Sequence, residues 1–303
     1  MVHSLGEVFV LKTSDRVIGV PLLVSKFGLE DYSGKTVALK ANFNSADPFP
    51  ASTHIDALRA LVGSLKKAGP SEITLAERSG MGETEQVLNE MGVFALSKEL
   101  GFNAVVLDDV GQEDWFKVER KDTHWLKGFY IAKLFHDVDK VVQTCCLKTH
   151  RFGGNLTLSL KNSVGLEVKK VPDELYDYMS ELHSSPNQRR MIAEINDNYS
   201  VDFVLMDGIK AFITGGPDRG TLVEPNLLLA SRDRVAIDAV GVAILKMYGA
   251  KGKIGEAGVF EQDQLKRAAE LEFGVKSVND IKLISLTDES RVEAERIEQV
   301  LKA

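Results

Sequence analysis

The sequence predicts an α/β fold: a mostly parallel sheet covered by helices on both faces, in a Rossmann-like three-layer arrangement. Short apolar runs alternate with stretches of helical spacing, the pattern of strands joined by crossover helices. Polar residues collect directly after those runs, where a parallel sheet presents its carboxyl ends. One stretch, from Val235 to about Tyr248, is apolar on nearly all sides and therefore belongs inside. The chain, 1–303, reads as a single α/β domain with a helical insertion at about 166–200.

Thr36-Val37-Ala38-Leu39-Lys40 is the first expected strand, followed by a loop through Asp47-Pro48-Phe49-Pro50. Thr53 is placed to cap the next helix, with Asp56 in the capping-box position. Ile55, Leu58, Leu61, Val62 and Leu65 give that helix one buried face, and Gly69-Pro70 ends it. Ile73–Ala76 is the second strand, and a helical stretch from Glu83 to Leu100 breaks near Gly92. Ala104–Leu107, Lys140–Cys145, Phe203–Met206 and Leu227–Ala230 are further strands. Ile281–Leu286 and an amphipathic helix from about Glu289 complete the pattern.

Composition narrows the function. Lys and Arg total 37 against 44 Asp and Glu, a net charge of −7. That balance argues against non-specific nucleic-acid binding and against an anionic membrane surface, but leaves room for a local basic pocket. The two cysteines, Cys145 and Cys146, are neighbours, so no disulfide framework forms and a cytoplasmic setting is expected. Two thiols cannot hold a four-cysteine cluster, so no intrinsic iron–sulfur cluster is expected. The start lacks the basic region of a signal peptide, and no apolar run reaches the roughly 20 residues of a membrane helix.

The strand ends bring forward Lys40 and Asn42, Glu77, Asp108 and Asp109, Lys148 and His150, Asp207, and Ser231 with Asp233. If the strands are parallel, these groups share one edge and form a ligand crevice. Lys148-Thr149-His150-Arg151 precedes Phe152-Gly153-Gly154-Asn155, with Lys161-Asn162 close behind. Glycine amides and lysine ammonium groups together suit a phosphate or carboxylate, although the spacing is not that of a Walker A loop. Gly215 and Gly216 belong to a second glycine-rich loop, which either approaches a ligand or only turns the chain. His150 is the best-placed general acid–base group, with Glu77 and Lys148 beside it in the catalytic set. Asp207, Asp233 and Asp238 are candidate ligands of a divalent metal. Asp233 is equally suited to capping a helix, and Asp238, inside an apolar helix, needs a lysine, backbone donors or a metal. No histidine pair has metal-ligand spacing, and the cysteines read as buried and structural.

Several segments together resemble the family catalogued as domain of unknown function number 362. They are Lys40-Ala41-Asn42 with Thr53, Leu147-Lys148-Thr149-His150, Leu160–Gly165 and His183. Met206-Asp207-Gly208, Gly215-Gly216-Pro217 and Ala230–Asp238 follow in the same order. The resemblance spans about residues 36 to 250 and implies an α/β fold without a fixed reaction. It also implies a link to redox chemistry through iron–sulfur segments that this sequence lacks, so any such role would need a separate redox or iron–sulfur protein. The leading expectation is an enzyme acting on a small anionic substrate: Lys40, Asn42, Lys161, Asn162, Gly215 and Gly216 bind it, and His150 or Glu77 moves a proton. The alternatives are a non-catalytic ligand- or metal-binding accessory protein, and a structural partner whose polar edge is an interface.

Overall fold

The computed structural model describes residues 6–153, 155–171 and 174–303. Its strands are β1 (Gly6–Lys12), β2 (Thr36–Lys40), β3 (Glu72–Glu77), β4 (Asn103–Val106), β5 (Trp115–Val118) and β6 (Phe129–Ala132). They continue with β7 (Lys140–His150), β8 (Asn155–Thr157), β9 (Phe203–Gly215), β10 (Gly220–Val223), β11 (Leu227–Ser231) and β12 (Ile281–Ser285). The main sheet runs β12-β1-β11-β9-β7-β2-β3-β4, with β8 added to β7 and β10 to β9. β5 and β6 form a separate hairpin.

The contiguous strands β4, β3, β2, β7 and β9 are all parallel. β11 is antiparallel to both β9 and β1, and β12 is parallel to β1. The sheet is therefore mostly parallel as expected, with one reversal. That reversal corrects one part of the expected edge: Ser231 ends β11 and Asp233 follows it, so both lie at the opposite edge from Lys40 and Glu77.

Alternation along the strands shows why helices cover both faces. Val204 and Met206 of β9 enter one core, which contains the Arg234–Met247 helix, while Phe203 and Leu205 enter the other. Leu227 and Leu229 of β11 divide from Leu228 and Ala230 in the same way. The second core is closed by the Arg16–Val24 and Ile55–Lys67 helices. A third cluster joins the β5–β6 hairpin to the Tyr178–Ser184 and Gln188–Asn196 helices. Those two helices lie in the stretch expected to be inserted.

Chain order places the site. From β2 the chain builds outward to β3 and β4, then crosses back to place β7 and β9 on the other side of β2. The carboxyl ends of β2 and β7 thus flank a topological switch point, where helix connections diverge and leave a crevice. Lys40 ends β2 and His150 ends β7. β7 is longer than expected, so Lys148 and His150 are strand residues and not part of a loop. At the Ile55–Lys67 helix the cap is His54, whose Nδ1 accepts from the Asp56 amide at 3.2 Å. The expected cap, Thr53, instead accepts from the Asn42 amide at 2.9 Å and tethers the segment after β2.

Candidate functional site

A cavity of about 510 Å³ opens at this switch point. Lys40, Asn42, Glu77, His150, Lys161 and Asn162 line it, so six sequence-predicted site residues converge there from distant segments. Lys148 lies directly behind the wall. Its Nζ donates to Asn42 Oδ1 at 2.8 Å and to the Ala51 carbonyl.

Lys40 and Glu77 end adjacent strands and meet at 2.5 Å between Nζ and Oε1, both almost wholly buried. Lys40 also donates to Asn162 Oδ1 at 3.2 Å and to the Ala41 carbonyl. Glu77 accepts from the Phe43 and Arg78 amides at 3.1 and 3.0 Å. Burial lowers the lysine pKa and raises that of the carboxyl, and each partner's charge opposes the shift. The pair is closed from above by Gly165: a Cβ there would stand 2.8 Å from both Glu77 Oε1 and Lys40 Cε. Only glycine lets the turn lie on the pair. This geometry makes Glu77 the anchor of Lys40, which removes the reason for assigning it the proton transfer.

Lys148 is fully buried, and its hydrogen-bond partners are neutral oxygens. Burial lowers its pKa. Asn42 turns its oxygen to Lys148, which leaves its amide nitrogen as a donor at the cavity wall. Lys161 is partly buried, and its ammonium has no hydrogen-bond or ion-pair partner among the described residues. Burial first, then the charges of Lys148 and Arg78, push its pKa down to about 8. Lys161 sits on the short Ser159–Asn162 helix, whose Ser159 and Leu160 amides donate to the Asp238 carboxylate at 2.8 and 3.0 Å. Of the lysine, backbone donors or metal that its burial called for, Asp238 thus finds backbone donors. Burial, only partly opposed by those bonds, raises its pKa to about 7.

Two histidines line the cavity in complementary states. His150 Nδ1 accepts from the Phe152 amide at 3.2 Å, which assigns its proton to Nε2. Burial, reinforced by Lys161 and Lys148, strongly lowers its pKa and keeps the ring neutral. His183 Nδ1 lies 2.7 Å from the Met179 carbonyl and must carry the proton, which assigns the lone pair to Nε2. One ring is then a donor and the other an acceptor. Thr157 also lines the cavity, and its hydroxyl is buried with no partner among the described residues.

Arg78 was missed by the sequence reading. It is buried at the cavity wall and donates to the carbonyls of Glu167 and Val164. The Glu167 carboxyl is itself buried, neither of its oxygens has a hydrogen-bond partner among the described residues, and burial pushes its pKa up against the opposing charge of Arg78. The strand-end rule could have found Arg78, which directly follows Glu77 at the carboxyl end of β3.

Other expected residues fall elsewhere. Asp207 is bonded to Arg16 Nε at 2.6 Å and to the Ile209 amide at 3.2 Å. Asp233 caps the Arg234–Met247 helix through the Val235 and Ala236 amides and accepts from Val275 as well. With Asp238 engaged as above, the three aspartates do not converge on one metal position. Among the described residues no group of three His, Cys, Asp or Glu side chains is arranged to hold an ion. Gly215 and Gly216 hold positive φ of 73° and 66°. A Cβ on Gly216 would stand 2.0 Å from the Thr149 carbonyl. Its amide is bonded to the Arg219 carbonyl at 2.7 Å and its oxygen accepts from Arg151. This loop therefore packs onto β7 and brings Pro217 to the cavity rim, without offering the Gly216 amide to a ligand. Gly154 lies outside the described residues. Arg151 is paired with Asp218 at 2.5 Å.

The family model for the domain of unknown function (DUF362) matches residues 37–243. No curated protein matches the sequence. Among solved structures, a crystal structure of a Thermotoga maritima protein from the Northeast Structural Genomics Consortium is similar at 14% identity and a TM-score of 0.41. That match covers 63% of this chain and 49% of the other. The lactate racemase apoprotein from Thermoanaerobacterium thermosaccharolyticum is similar at 17% identity and a TM-score of 0.38, over 69% of this chain and 51% of the other. The matches span about half the length of those two proteins. Among the described residues no helix is long and apolar enough to cross a membrane.

Proposed function

The chain belongs to the family of the domain of unknown function (DUF362), and on that premise we propose that its cavity binds a small carboxylate or phosphate and moves a proton on it. The observation that supports this reading is the charge balance at the cavity. Lys148 and Arg78 bond to neutral oxygens, and Lys161 bonds to nothing among the described residues. Three cationic side chains in or behind one wall thus lack a bonded carboxylate, although the chain as a whole is acidic. Low-dielectric surroundings make such an excess costly, and an anion in the cavity relieves it.

In this reading Lys161 contacts the anion and the Asn42 amide and His150 Nε2–H donate to ligand oxygens. His183 Nε2 then accepts the proton. Neutral imidazole is well suited to that pairing of donor and base. The test is thermal unfolding with phosphate, acetate or pyruvate, against chloride at matched ionic strength. A ligand at about 100 times its Kd stabilises the fold by roughly 2.7 kcal/mol. A rise in Tm that Lys161→Met abolishes supports the proposal; no rise above the chloride control with any of the three anions overturns it.

A further inference from the structure

Resting on the anion reading, we propose that Lys161 is a carbonyl-reactive amine, whose Nζ condenses with an aldehyde or ketone carrying a neighbouring carboxylate or phosphate. The other lysines of the site are already held, Lys40 by Glu77 and Asn162, and Lys148 by Asn42 and the Ala51 carbonyl. Lys161 alone among them has no partner among the described residues, and it lines the cavity. The short helix that carries it is anchored from below by Asp238, which fixes where the amine enters.

The groups facing Lys161 also suit the chemistry. Lys148 and Arg78 supply positive charge, the Lys40–Glu77 pair is internally neutral, and His150 and His183 are the two titratable rings. Burial and those charges bring the ammonium to about 8, so a useful fraction is the free, nucleophilic amine at mild pH. The Nζ lone pair adds to the carbonyl carbon as the C=O π bond opens. His150 Nε2–H hydrogen-bonds the developing alkoxide. Both Nζ protons reach that oxygen in turn through His183 Nε2: the first gives the carbinolamine hydroxyl, and the second lets it depart as water as the C–O bond breaks and the C=N bond forms. Amine plus carbonyl gives imine plus water, so no oxidant or reductant is consumed.

The full chain is incubated with pyruvate and sodium cyanoborohydride, then analysed by intact mass and peptide mapping. The expected result is one reduced adduct per chain, on the peptide containing Lys161, and at least tenfold less labelling when phosphate competes. Initial trapping should increase about tenfold per pH unit below 8 and level off above it. Lys161→Arg and Lys161→Gln should both lose the adduct while keeping native circular dichroism. If either fails to fold, peptide mapping of the wild type still decides. Pyruvate that raises Tm but leaves no adduct on Lys161 overturns the imine and leaves the anion site standing. Labels spread over other lysines, unchanged in the variants, also overturn it. No effect of pyruvate or phosphate on Tm would remove the anion site and this proposal together.

Discussion

Lys161→Met should stabilise the free protein while weakening its affinity for anions. The substitution keeps an unbranched side chain of similar length and removes an ammonium that has no partner among the described residues. The wild-type group falls from an ordinary 10.5 to about 8 on folding. Each pKa unit corresponds to about 1.4 kcal/mol, so the charged lysine costs the fold at most about 3 kcal/mol. The sign follows from proton binding. Below pH 8 both folded and unfolded lysines are protonated and the full penalty is present. Between 8 and 10.5 the unfolded chain binds more protons, so wild-type stability rises with pH and the penalty fades. Urea unfolding at pH 7 should therefore show the variant more stable by about 1–3 kcal/mol, and the gap should narrow at pH 9.5. Calorimetric titration with phosphate at pH 7 should show affinity reduced about 10- to 100-fold, the value of one charge-assisted contact. A variant less stable than wild type at pH 7, or a gap independent of pH, would refute the idea that this ammonium is held uncompensated for a ligand.

Glu77→Gln should cost about 3–5 kcal/mol by leaving Lys40 buried and uncompensated, and adding Lys40→Met should restore most of that loss; a double-mutant cycle in urea reads the coupling. His150→Gln should flatten acid sensitivity. The folded imidazole stays neutral while the unfolded one binds a proton below about 6.5, so the wild type loses about 1.4 kcal/mol per pH unit relative to the variant from there downward. Parallel slopes for the two proteins between pH 6 and 4.5 would contradict a neutral His150. Asp238→Asn leaves one of the Ser159 and Leu160 amides without an acceptor and should cost about 1–3 kcal/mol at pH 5. Because the folded carboxyl keeps its proton up to about 7, wild-type stability falls as pH rises from about 4 to 7, and the gap should shrink over that range. Chemical denaturation at pH 5 and 7.5 checks both the size and the trend.

The site was legible in the sequence to the extent that strand direction was legible. Lys40, Glu77, Lys148 and Asp207 sit on contiguous parallel strands, and alternating apolar segments were enough to place them on one sheet. β11 looked the same in sequence, because a strand buried on both faces is equally apolar in either direction. Its reversal shows in its antiparallel pairing with both β9 and β1, and β1 lies more than 200 residues away in the chain. Asp233 was therefore drawn into the wrong edge, although its capping role was visible locally. Asp238 marks the other limit. Its buried position required a partner, but residue type alone could not choose between a cation and two backbone amides. The choice came from the Ser159–Asn162 helix beginning directly beside it. Glu167 was invisible for a related reason, whereas Arg78, the first residue past β3, was within reach of the strand-end rule. The pairing of a buried guanidinium bonded to carbonyls with a buried carboxyl whose pKa burial raises has no sequence spacing of its own. Yet these two bear directly on the anion site proposed within an acidic chain. Burial favours the neutral form of Glu167, and Arg78, like Lys148, is bonded to neutral oxygens and not to a carboxylate. In the proposed reading, the charge that an anion would complete depends on which carboxyls are ionised, a property that burial decides and composition does not record.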